Sequence, residues 1–268
     1  MELLSKNGIP LSAAHRGVSG GNIPCNSLAA YKAALAQGAD IIELDVTVSR
    51  DGQLFTFHPG MEPAHLNKKR FIRTMSAKSA EKLLYVNQDD TKTVEKVQYL
   101  DDVFAFLKGK CLINVDKFWT APEKITECIR KHGIEEQVII KTSPQASRIN
   151  DVERYAPDLA FMPIVKNTDD ITKELMNRKI NLVGVEACFD SDTAQVASDE
   201  YIAWLHENGL AIWGNAIVYD YKDVISGGHT DDISVCGEPE KGWGWFRDKK
   251  FDIVQTDWLL AMNTYYGK

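Results

Sequence analysis

The chain has 268 residues, of which 44% are hydrophobic and 26% charged, a composition typical of a globular protein with one large domain or two smaller ones. Its net charge of -7 argues against a nucleic-acid partner, which would need a basic surface. No apolar run approaches the length of a membrane span, and residues 1–8 lack the apolar core of a signal peptide. The five cysteines are scattered and include no CxxC pair, so we expect free thiols and a cytoplasmic location. The sequence carries no prediction of the oligomeric state.

Strand and helix patterns alternate along the chain. Predicted strands that could lie parallel to one another begin at residues 11, 40, 111, 138, 160, 182, 211 and 251. The predicted helices are residues 26–37, 100–107, 122–133, 145–155, 169–178 and 197–208. Eight strands alternating with helices over about 250 residues predict a single α/β domain over residues 1–268, a (β/α)8 TIM barrel. A doubly wound open sheet is the alternative, and it is less favoured because Ser19-Gly20-Gly21 lacks the GxGxxG spacing.

The second predicted strand, residues 40–47, contains two carboxylates. Because strand side chains alternate between two faces, Glu43 and Asp45 share one face, and the apolar face carries Ile42, Leu44 and Val46. Two like charges this close raise each other's pKa unless a positive charge lies between them. The strand is therefore a candidate site for a hard cation. The alternative is an edge strand with a solvated acidic face.

A hairpin and an insertion follow this strand. Asp51-Gly52 predicts a tight turn, after which residues 54–58 fold back antiparallel, because so short a connection cannot join parallel strands. From residue 59 to about residue 98 the alternation weakens. We interpret this segment as an insertion or lid, with one helical piece at residues 77–84. The Trp-rich section after residue 215 is expected to be irregular.

In a TIM barrel, the carboxyl ends of the strands and the loops after them build the active site. The polar side chains at those ends are His15, Arg16, Glu43, Asp45, Asn114, Asp116, Lys141, Glu186, Trp213 and Asn215, with His58 returning over the second strand on the hairpin. Two histidines, one arginine and three carboxylates are therefore expected at one site. Alternatives remain: Asp116 could cap a helix, Lys141 could be a solvated strand end, and Glu186 could be structural. The other histidines, His65, His132, His206 and His229, are expected to be ordinary core or surface groups.

Many of these residues form a dense pattern between residues 13 and 58. The pattern consists of His15-Arg16-Gly17, Asn26-Ser27, the run GADIIELDV at residues 38–46, Asp51-Gly52 and His58. It resembles the signature of the glycerophosphodiester phosphodiesterase family, which runs HRG, ENT or ENS, GADxIExDV, DG and a closing His. The resemblance extends loosely to residues 113–116, 212–215 and 253–257. It implies a TIM barrel with a small insertion after the second strand, in agreement with the strand pattern.

The resemblance also implies a reaction, the metal-dependent hydrolysis of glycerophosphodiesters to glycerol 3-phosphate and an alcohol. A divalent cation, Mg²⁺ or Ca²⁺, would be bound by Glu43, Asp45 and Asp116. Arg16 would hold the phosphate with its planar guanidinium, and His15 and His58 would be the general base and general acid. In similar enzymes the neighbouring glycerol hydroxyl attacks phosphorus first, and water then opens the cyclic phosphate.

The sequence departs from the family pattern at two places. Cys25 stands where the family has Glu, which removes a carboxylate from the neighbourhood of the metal. On the third strand Phe118 stands at the position where the family often has Lys, and Lys117 follows Asp116 directly. By strand alternation Lys117 should point away from the Asp116 face, so we expect Lys141 on the adjacent strand to supply the positive charge at the phosphate.

Two other functions remain open. The missing carboxylate at Cys25 is compatible with a non-catalytic phosphodiester-binding protein on the same scaffold. A phosphodiesterase for lysophospholipids or inositol-type diesters would keep the chemistry and change the substrate. Residues that could contact such a substrate are Cys25, Glu186, Trp213 and Asn215. In either case we expect a small-molecule ligand.

Overall fold

In the computed structural model, which describes residues 2–5, 7–218 and 222–268, eight parallel strands close into a ring surrounded by helices. The strands in this part of the chain are β1 (Leu11–Ala14), β2 (Ile41–Val48), β3 (Leu54–Thr56), β4 (Leu84–Val86), β5 (Lys92–Lys96), β6 (Gln98–Tyr99), β7 (Leu112–Asp116), β8 (Val138–Thr142), β9 (Ala160–Lys166), β10 (Gly184–Cys188), β11 (Ala211–Asn215) and β12 (Ile253–Thr256). The helices are α1 (Leu28–Ala36), α2 (Glu62–Leu66), α3 (Ala77–Ala80), α4 (Leu100–Leu107), α5 (Pro122–His132), α6 (Ala146–Tyr155), α7 (Thr172–Leu175), α8 (Asp199–Glu207), α9 (Asp231–Val235), α10 (Trp243–Asp248) and α11 (Leu259–Tyr266).

The ring has the strand order β1, β2, β7, β8, β9, β10, β11, β12, and every neighbouring pair in it is parallel. Because β1 pairs with both β2 and β12, the ring of eight parallel strands is closed. The predicted TIM barrel is confirmed. The alternative of a doubly wound open sheet is wrong.

The side chains of β2 divide between the two sides of the ring as their alternation predicts. Ile42, Leu44 and Val46 are fully buried in the outer hydrophobic cluster, which also contains apolar side chains of α4, α5 and α6. Ile41 belongs to the cluster inside the barrel, and by period 2 Glu43 and Asp45 point to the same interior. Both carboxylates are almost completely buried. The alternative of an edge strand with a solvated acidic face is therefore wrong.

The hairpin at Asp51-Gly52 forms as predicted, with β3 antiparallel to β2 and β6 antiparallel to β3. The segment between β3 and β6 has a small hydrophobic core of its own, formed by Phe55, Phe57, Leu66, Ile72, Ala77, Ala80, Tyr85 and Val97. Within it, the helix predicted at residues 77–84 ends at Ala80, and a hairpin of β4 and β5 follows. That this segment acts as a lid stays a prediction.

The second half of the chain differs from the sequence prediction in four helices. The helix predicted at residues 169–178 is shorter in the structure, where α7 spans Thr172–Leu175. It starts late because the Asp169 carboxylate accepts the N–H groups of Ile171 and Thr172. The section after residue 215, predicted to be irregular, contains α9 and α10, and the C-terminal α11 was not predicted. In the described ranges, no helix combines the length and the apolar character needed to cross a membrane.

Candidate active site

In the turn after β1, two consecutive residues with positive φ bring the chain close to β2 and α1. Arg16 has a left-handed backbone with φ of 57°, and its N–H donates to Glu43 Oε2 at 2.8 Å. Gly17 follows with φ of 78°, and a Cβ there would lie 2.8 Å from the carbonyl carbon of Ala30 in α1. This close approach to the helix fixes the turn. The turn brings Nε of Arg16 to 2.9 Å from Oδ2 of Asp45.

Three carboxylates converge beside this turn. Glu43 and Asp45 lie on β2, and Asp116 ends β7, where it is the register partner of Asp45. One carboxylate oxygen from each of the three lies within 4.8 Å of the other two. Glu43 and Asp45 are 3% and 1% exposed, whereas Asp116 is half-buried at the rim. The two neighbouring strands therefore bring together the three carboxylates singled out in the sequence.

Asn26 holds Asp45 in place from the loop before α1. Its amide nitrogen donates to Asp45 Oδ2 at 2.9 Å, and its amide oxygen accepts the backbone N–H of Asp45 at 3.1 Å. The same oxygen accepts the hydroxyl of Tyr31 at 3.2 Å. Asn26 has φ of 56°, a left-handed conformation that asparagine tolerates better than most residues. It therefore positions Asp45, a role that the sequence prediction did not assign to it.

The two carboxylates of β2 titrate in opposite directions. Burial, reinforced by the charge of Asp45, raises the pKa of Glu43 to about 8. Burial also opposes the charge on Asp45, but the nearby guanidinium of Arg16 and ammonium of Lys117 outweigh it and lower the pKa of Asp45. In the absence of a bound cation, the site therefore favours one proton on Glu43 and a full charge on Asp45.

Lys117 points toward the carboxylates, so the expectation that it faces away is wrong. The strand ends at Asp116, and Lys117 adopts a left-handed backbone with φ of 59°, at which point the period-2 alternation no longer applies. Its ammonium lies 2.5 Å from Asp116 Oδ2 and 3.8 Å from Asp45 Oδ1. Burial disfavours the ammonium, but Asp116 and Asp45 outweigh that effect and raise the pKa of Lys117.

His15 is held by a carboxylate from the last strand of the barrel. Its Nδ1 lies 2.8 Å from Oδ1 of Asp257, the residue after β12. Burial alone would lower the pKa of His15, but the hydrogen bond and charge of Asp257 outweigh burial and raise it. Asp257 was not singled out as a functional residue. Its position directly after the last strand was the signal that could have identified it.

His58 is oriented by its neighbour in the chain. Its Nδ1 lies 3.1 Å from the carbonyl oxygen of Pro59, so the N–H is on Nδ1 and the lone pair of the neutral ring is on Nε2. Nε2 lies 3.9 Å from Oδ1 of Asp45. Burial lowers the pKa of His58. The backbone N–H of Phe57 donates to the carbonyl of Asp45 at 3.0 Å, which fixes the distance between the hairpin and β2.

Cys25 lies beside Arg16 and His65. Its Sγ is 4.0 Å from Nδ1 of His65, a histidine that we expected to be unrelated to the site. Burial raises the pKa of the Cys25 thiol to about 11, although the Arg16 guanidinium opposes the shift. The thiol is therefore neutral near pH 7, which argues against a role as nucleophile.

A second polar group lies on β8, β10 and β11. Nζ of Lys141 is 2.9 Å from Oε2 of Glu186 and 3.0 Å from the ring centroid of Trp213. The amide nitrogen of Asn215 donates to the other oxygen of Glu186 at 2.8 Å. Lys141 is 2% exposed, so it is not a solvated strand end. Burial lowers the pKa of Lys141, while the Lys141 charge overcomes burial and lowers that of Glu186.

The carboxylate cluster fits a divalent cation. Oδ1 of Asp45 and Nε2 of His58 are buried and have no hydrogen-bond partner among the residues that the structure describes. Three carboxylate oxygens form the donor set that Mg²⁺ and Ca²⁺ prefer. Burial first and the charge of Asp45 second raise the pKa of Glu43, and a bound cation would offset both effects by favouring the ionised carboxylate. The ammonium of Lys117 is the one group that a cation would have to displace from Asp116 within the described structure.

Two sequence comparisons found similar proteins, each over part of the chain. A family described as a domain of unknown function matches residues 161–266. A curated relative from Caldanaerobacter subterraneus subsp. tengcongensis, named glycerophosphodiester phosphodiesterase, is 32% identical over 157 residues. The resemblance to the glycerophosphodiester phosphodiesterase family is confirmed. The aligned region covers 56% of this chain and 64% of that relative, so the chain spans less than two thirds of the relative's length.

Solved structures of glycerophosphodiester phosphodiesterases share the fold over nearly the whole chain. One from Parabacteroides distasonis has a TM-score of 0.81 at 18% identity and covers 99% of this chain and 89% of its own. A phosphodiesterase from Oleispira antarctica, solved in complex with the product sn-glycerol-3-phosphate, has a TM-score of 0.72 at 15% identity, with 97% and 98% coverage. At these identities the structural similarity establishes the barrel.

Proposed function

We propose that this protein is a metal-dependent phosphodiesterase that hydrolyses glycerophosphodiesters to glycerol 3-phosphate and an alcohol. The observation that carries the proposal is the convergence of Glu43, Asp45 and Asp116 beside two histidines and an arginine at the carboxyl ends of the barrel strands. The curated relative of that name and the neighbour bound to sn-glycerol-3-phosphate support the choice of substrate class.

The metal would be held by one oxygen each from Glu43, Asp45 and Asp116. Mg²⁺ and Ca²⁺ both suit this set of ligands, and when bound either would stabilise negative charge that develops on the phosphoryl oxygens. Arg16 lies on the same side, with its guanidinium next to Asp45. It would bind the non-bridging oxygens of the phosphate and orient the phosphorus for attack.

We assign the proton transfers from the hydrogen bonds of the two histidines, which reverses the order of base and acid implied by the resemblance. His58 donates its Nδ1 proton to Pro59, so its free Nε2 would accept the proton of the attacking hydroxyl. His15 is paired with the carboxylate of Asp257, which stabilises the imidazolium, so it would donate a proton to the leaving oxygen. The attacking hydroxyl would be the one next to the ester on glycerol, followed by water at the cyclic phosphate.

Lys141 would add positive charge deeper in the barrel. Its ammonium is already paired with Glu186 and lies over Trp213, so it would reach a phosphate oxygen only as part of this group. Asn215 Oδ1 and Trp213 Nε1 are buried and unpaired within the described chain, and they would face the substrate as an acceptor and a donor. Cys25, beside Arg16, would contact the substrate as a neutral thiol.

A direct assay tests the proposal. Glycerophosphocholine is incubated with the protein, with Mg²⁺ or Ca²⁺ or with a chelator, and release of glycerol 3-phosphate is measured. We expect a metal-dependent release that falls about 10²- to 10⁴-fold in His58→Gln, because a general base contributes that much. Asp158→Asn, which changes an exposed carboxylate paired with Arg130, is the matched control and should keep the parent rate.

Each other result of the assay points to a different function. Binding of glycerophosphocholine without turnover would favour the non-catalytic phosphodiester-binding protein. Turnover of a lysophospholipid or an inositol-type diester in place of glycerophosphocholine would keep the chemistry and correct the substrate. The cytoplasmic location also stays a proposal, supported by five cysteines that are all free.

A further inference from the structure

A second cluster of metal-ligating side chains lies on the outer wall of the barrel, between α4 and α5. It consists of Asp101 near the start of α4 and Cys128 and His132 on α5. One carboxylate oxygen, the thiol sulfur and one imidazole nitrogen lie within 4.8 Å of one another. None of the three belongs to the candidate active site at the carboxyl ends of the strands.

Two of the three side chains form a chelating pair on α5. Cys128 and His132 are four residues apart on α5, so their side chains lie on the same face, one turn apart. Side chains on a helix lean toward its N-terminus, which directs the imidazole of His132 back toward Cys128. His132 is the last residue of α5, and its ring packs edge-on against Phe104 of α4 at a centroid distance of 6.1 Å. This packing limits its rotation.

Asp101 completes the cluster from the neighbouring helix. Its Oδ1 lies 2.9 Å from Nε2 of His132 and 2.5 Å from Nζ of Lys131. Lys131 is 65% exposed, so its side chain is free to swing into solvent when a cation takes its place. The thiol of Cys128 makes no hydrogen bond within the described ranges, and it is half-buried beside Asp101.

An ion can reach this cluster from solvent. Asp101 and Cys128 line an open cleft of about 530 Å³ that also contains Glu127 and Lys124. Ligand atoms joined to one tetrahedral zinc ion lie about 3.3–3.8 Å apart, so the present spacing needs only small side-chain shifts. The cleft leaves room for a water molecule as a fourth ligand.

We propose that Asp101, Cys128 and His132 bind a Zn²⁺ ion that joins α4 to α5. A set of one thiolate, one imidazole and one carboxylate selects zinc over Mg²⁺ and Ca²⁺, which prefer oxygen ligands throughout. Binding releases the thiol proton of Cys128 to solvent. The His132 proton that Nε2 donates to Asp101 leaves to solvent as well, and the neutral ring keeps or gains its proton on Nδ1, so that Nε2 is free to bind the ion. The ammonium of Lys131 moves away and keeps its proton. The ion ties two helices together and does not enter the reaction at the barrel mouth.

Co²⁺ gives a direct test on the full-length protein, because a cobalt–thiolate bond produces a charge-transfer absorption band that oxygen ligands do not. We expect the band on titration of the metal-free protein, its loss in Cys128→Ser, and its persistence in Cys25→Ser, which alters the thiol near the carboxylate cluster. Zn²⁺ should displace Co²⁺ and abolish the band. With saturating Mg²⁺ present to occupy the carboxylate cluster, Zn²⁺ should also raise the Tm of the parent protein and leave that of Cys128→Ser unchanged.

Two further variants keep the test decisive. His132→Gln should lose the Zn²⁺-induced rise in Tm, whereas Lys131→Ala should keep it and bind Zn²⁺ more tightly, because the competing ammonium is gone. Melting in the presence of a chelator shows which variants are folded. Absence of the band in the parent, its survival in Cys128→Ser, or an unaltered Zn²⁺ response in His132→Gln would each overturn the proposal. Phosphodiester hydrolysis in saturating Mg²⁺ should be the same in the parent protein, Cys128→Ser, His132→Gln and Lys131→Ala, so failure here is distinct from failure of the proposed function.

Discussion

Asp257 contacts His15 with its Oδ1 2.8 Å from Nδ1 of the imidazole, and this pair joins the last strand of the barrel to the first. Asp257 is itself held in place by a hydrogen bond. Its backbone N–H donates to Oδ2 of the buried Asp231 at 2.8 Å, and Oδ1 of Asp231 accepts the indole N–H of Trp243 at 2.7 Å. The orientation of His15 therefore depends on a chain of hydrogen bonds that extends into the packing of the C-terminal helices.

Asp257→Asn should impair catalysis without unfolding the protein. The amide keeps the size of the carboxylate but removes the charge that raises the pKa of His15. We expect kcat to fall about 10²-fold or more, since the general acid loses both its charge partner and its fixed orientation. The imidazole pKa, followed by NMR, should fall at the same time. A parent-like kcat together with a lowered His15 pKa would rule out His15 as the acid.

The stability of the metal-free protein should fall as pH rises through the titration of Glu43. The pKa of Glu43 is about 8 in the folded chain, above the ordinary value of 4.5 for this side chain, so between these two pH values the folded state holds a proton that the unfolded state has released. Urea unfolding at about pH 5.5 and about pH 8.5 measures the effect. In Glu43→Gln, the difference in the free energy of unfolding between the two pH values should be smaller. Comparison of this variant with the parent protein separates the contribution of Glu43 from that of the histidines.

Saturating Mg²⁺ should reduce the pH dependence of the free energy of unfolding in the parent protein, because a bound cation favours the ionised carboxylate of Glu43. The apparent affinity for Mg²⁺ should rise with pH until Glu43 is fully ionised. An affinity that does not change between about pH 6 and about pH 8.5 would show that Glu43 is not a ligand.

Cys25→Ser should leave kcat within about threefold of the parent value, since an exchange of one neutral polar group for another at a half-buried site changes little. The thiol has a pKa of about 11, so it is not the attacking group near neutral pH. Steady-state hydrolysis and reaction with a thiol reagent check this prediction. A loss of kcat as large as that of His58→Gln would reinstate Cys25 as a nucleophile.

Lys141→Met should destabilise the protein by about 3–5 kcal/mol, because it leaves the charge of Glu186 buried without its partner. The double variant Lys141→Met/Glu186→Gln should recover most of this loss, as urea unfolding would show. The kinetics of the double variant separate a structural pair from a phosphate contact. A raised KM for the phosphodiester supports Lys141 at the phosphate, and unchanged kinetics would remove that role.

The sequence predicted the barrel and its acidic centre because both depend on short-range regularities. The alternation of Ile42, Leu44 and Val46 with Glu43 and Asp45 determines which side chains face the interior. Strand starts follow from the repeated strand and helix patterns, and the carboxyl ends of parallel strands meet at one end of the ring.

What the sequence did not predict depends on backbone turns and on contacts between distant residues. Lys117 and Asn26 both have positive φ, which redirects their side chains in ways that the alternation does not describe. Asp257 and His15 are 242 positions apart, and only the closed ring shows that they are neighbours. The β4–β5 hairpin was missed because β5, Lys92–Lys96, is almost entirely polar and exposed and lacks an apolar face.

His58 lies two residues after β3, which joins β2 and β6 in a ladder beyond the ring, and the segment between β3 and β6 has its own hydrophobic core. The barrel itself closes without that segment, since β2 pairs with β1 and β7 in the ring. The three carboxylates thus lie on the strands of the ring, whereas His58 is supplied by a part of the chain that the ring does not need for closure. Sequence changes confined to that segment would alter the surroundings of His58 and leave the strands that carry Glu43, Asp45 and Asp116 as they are.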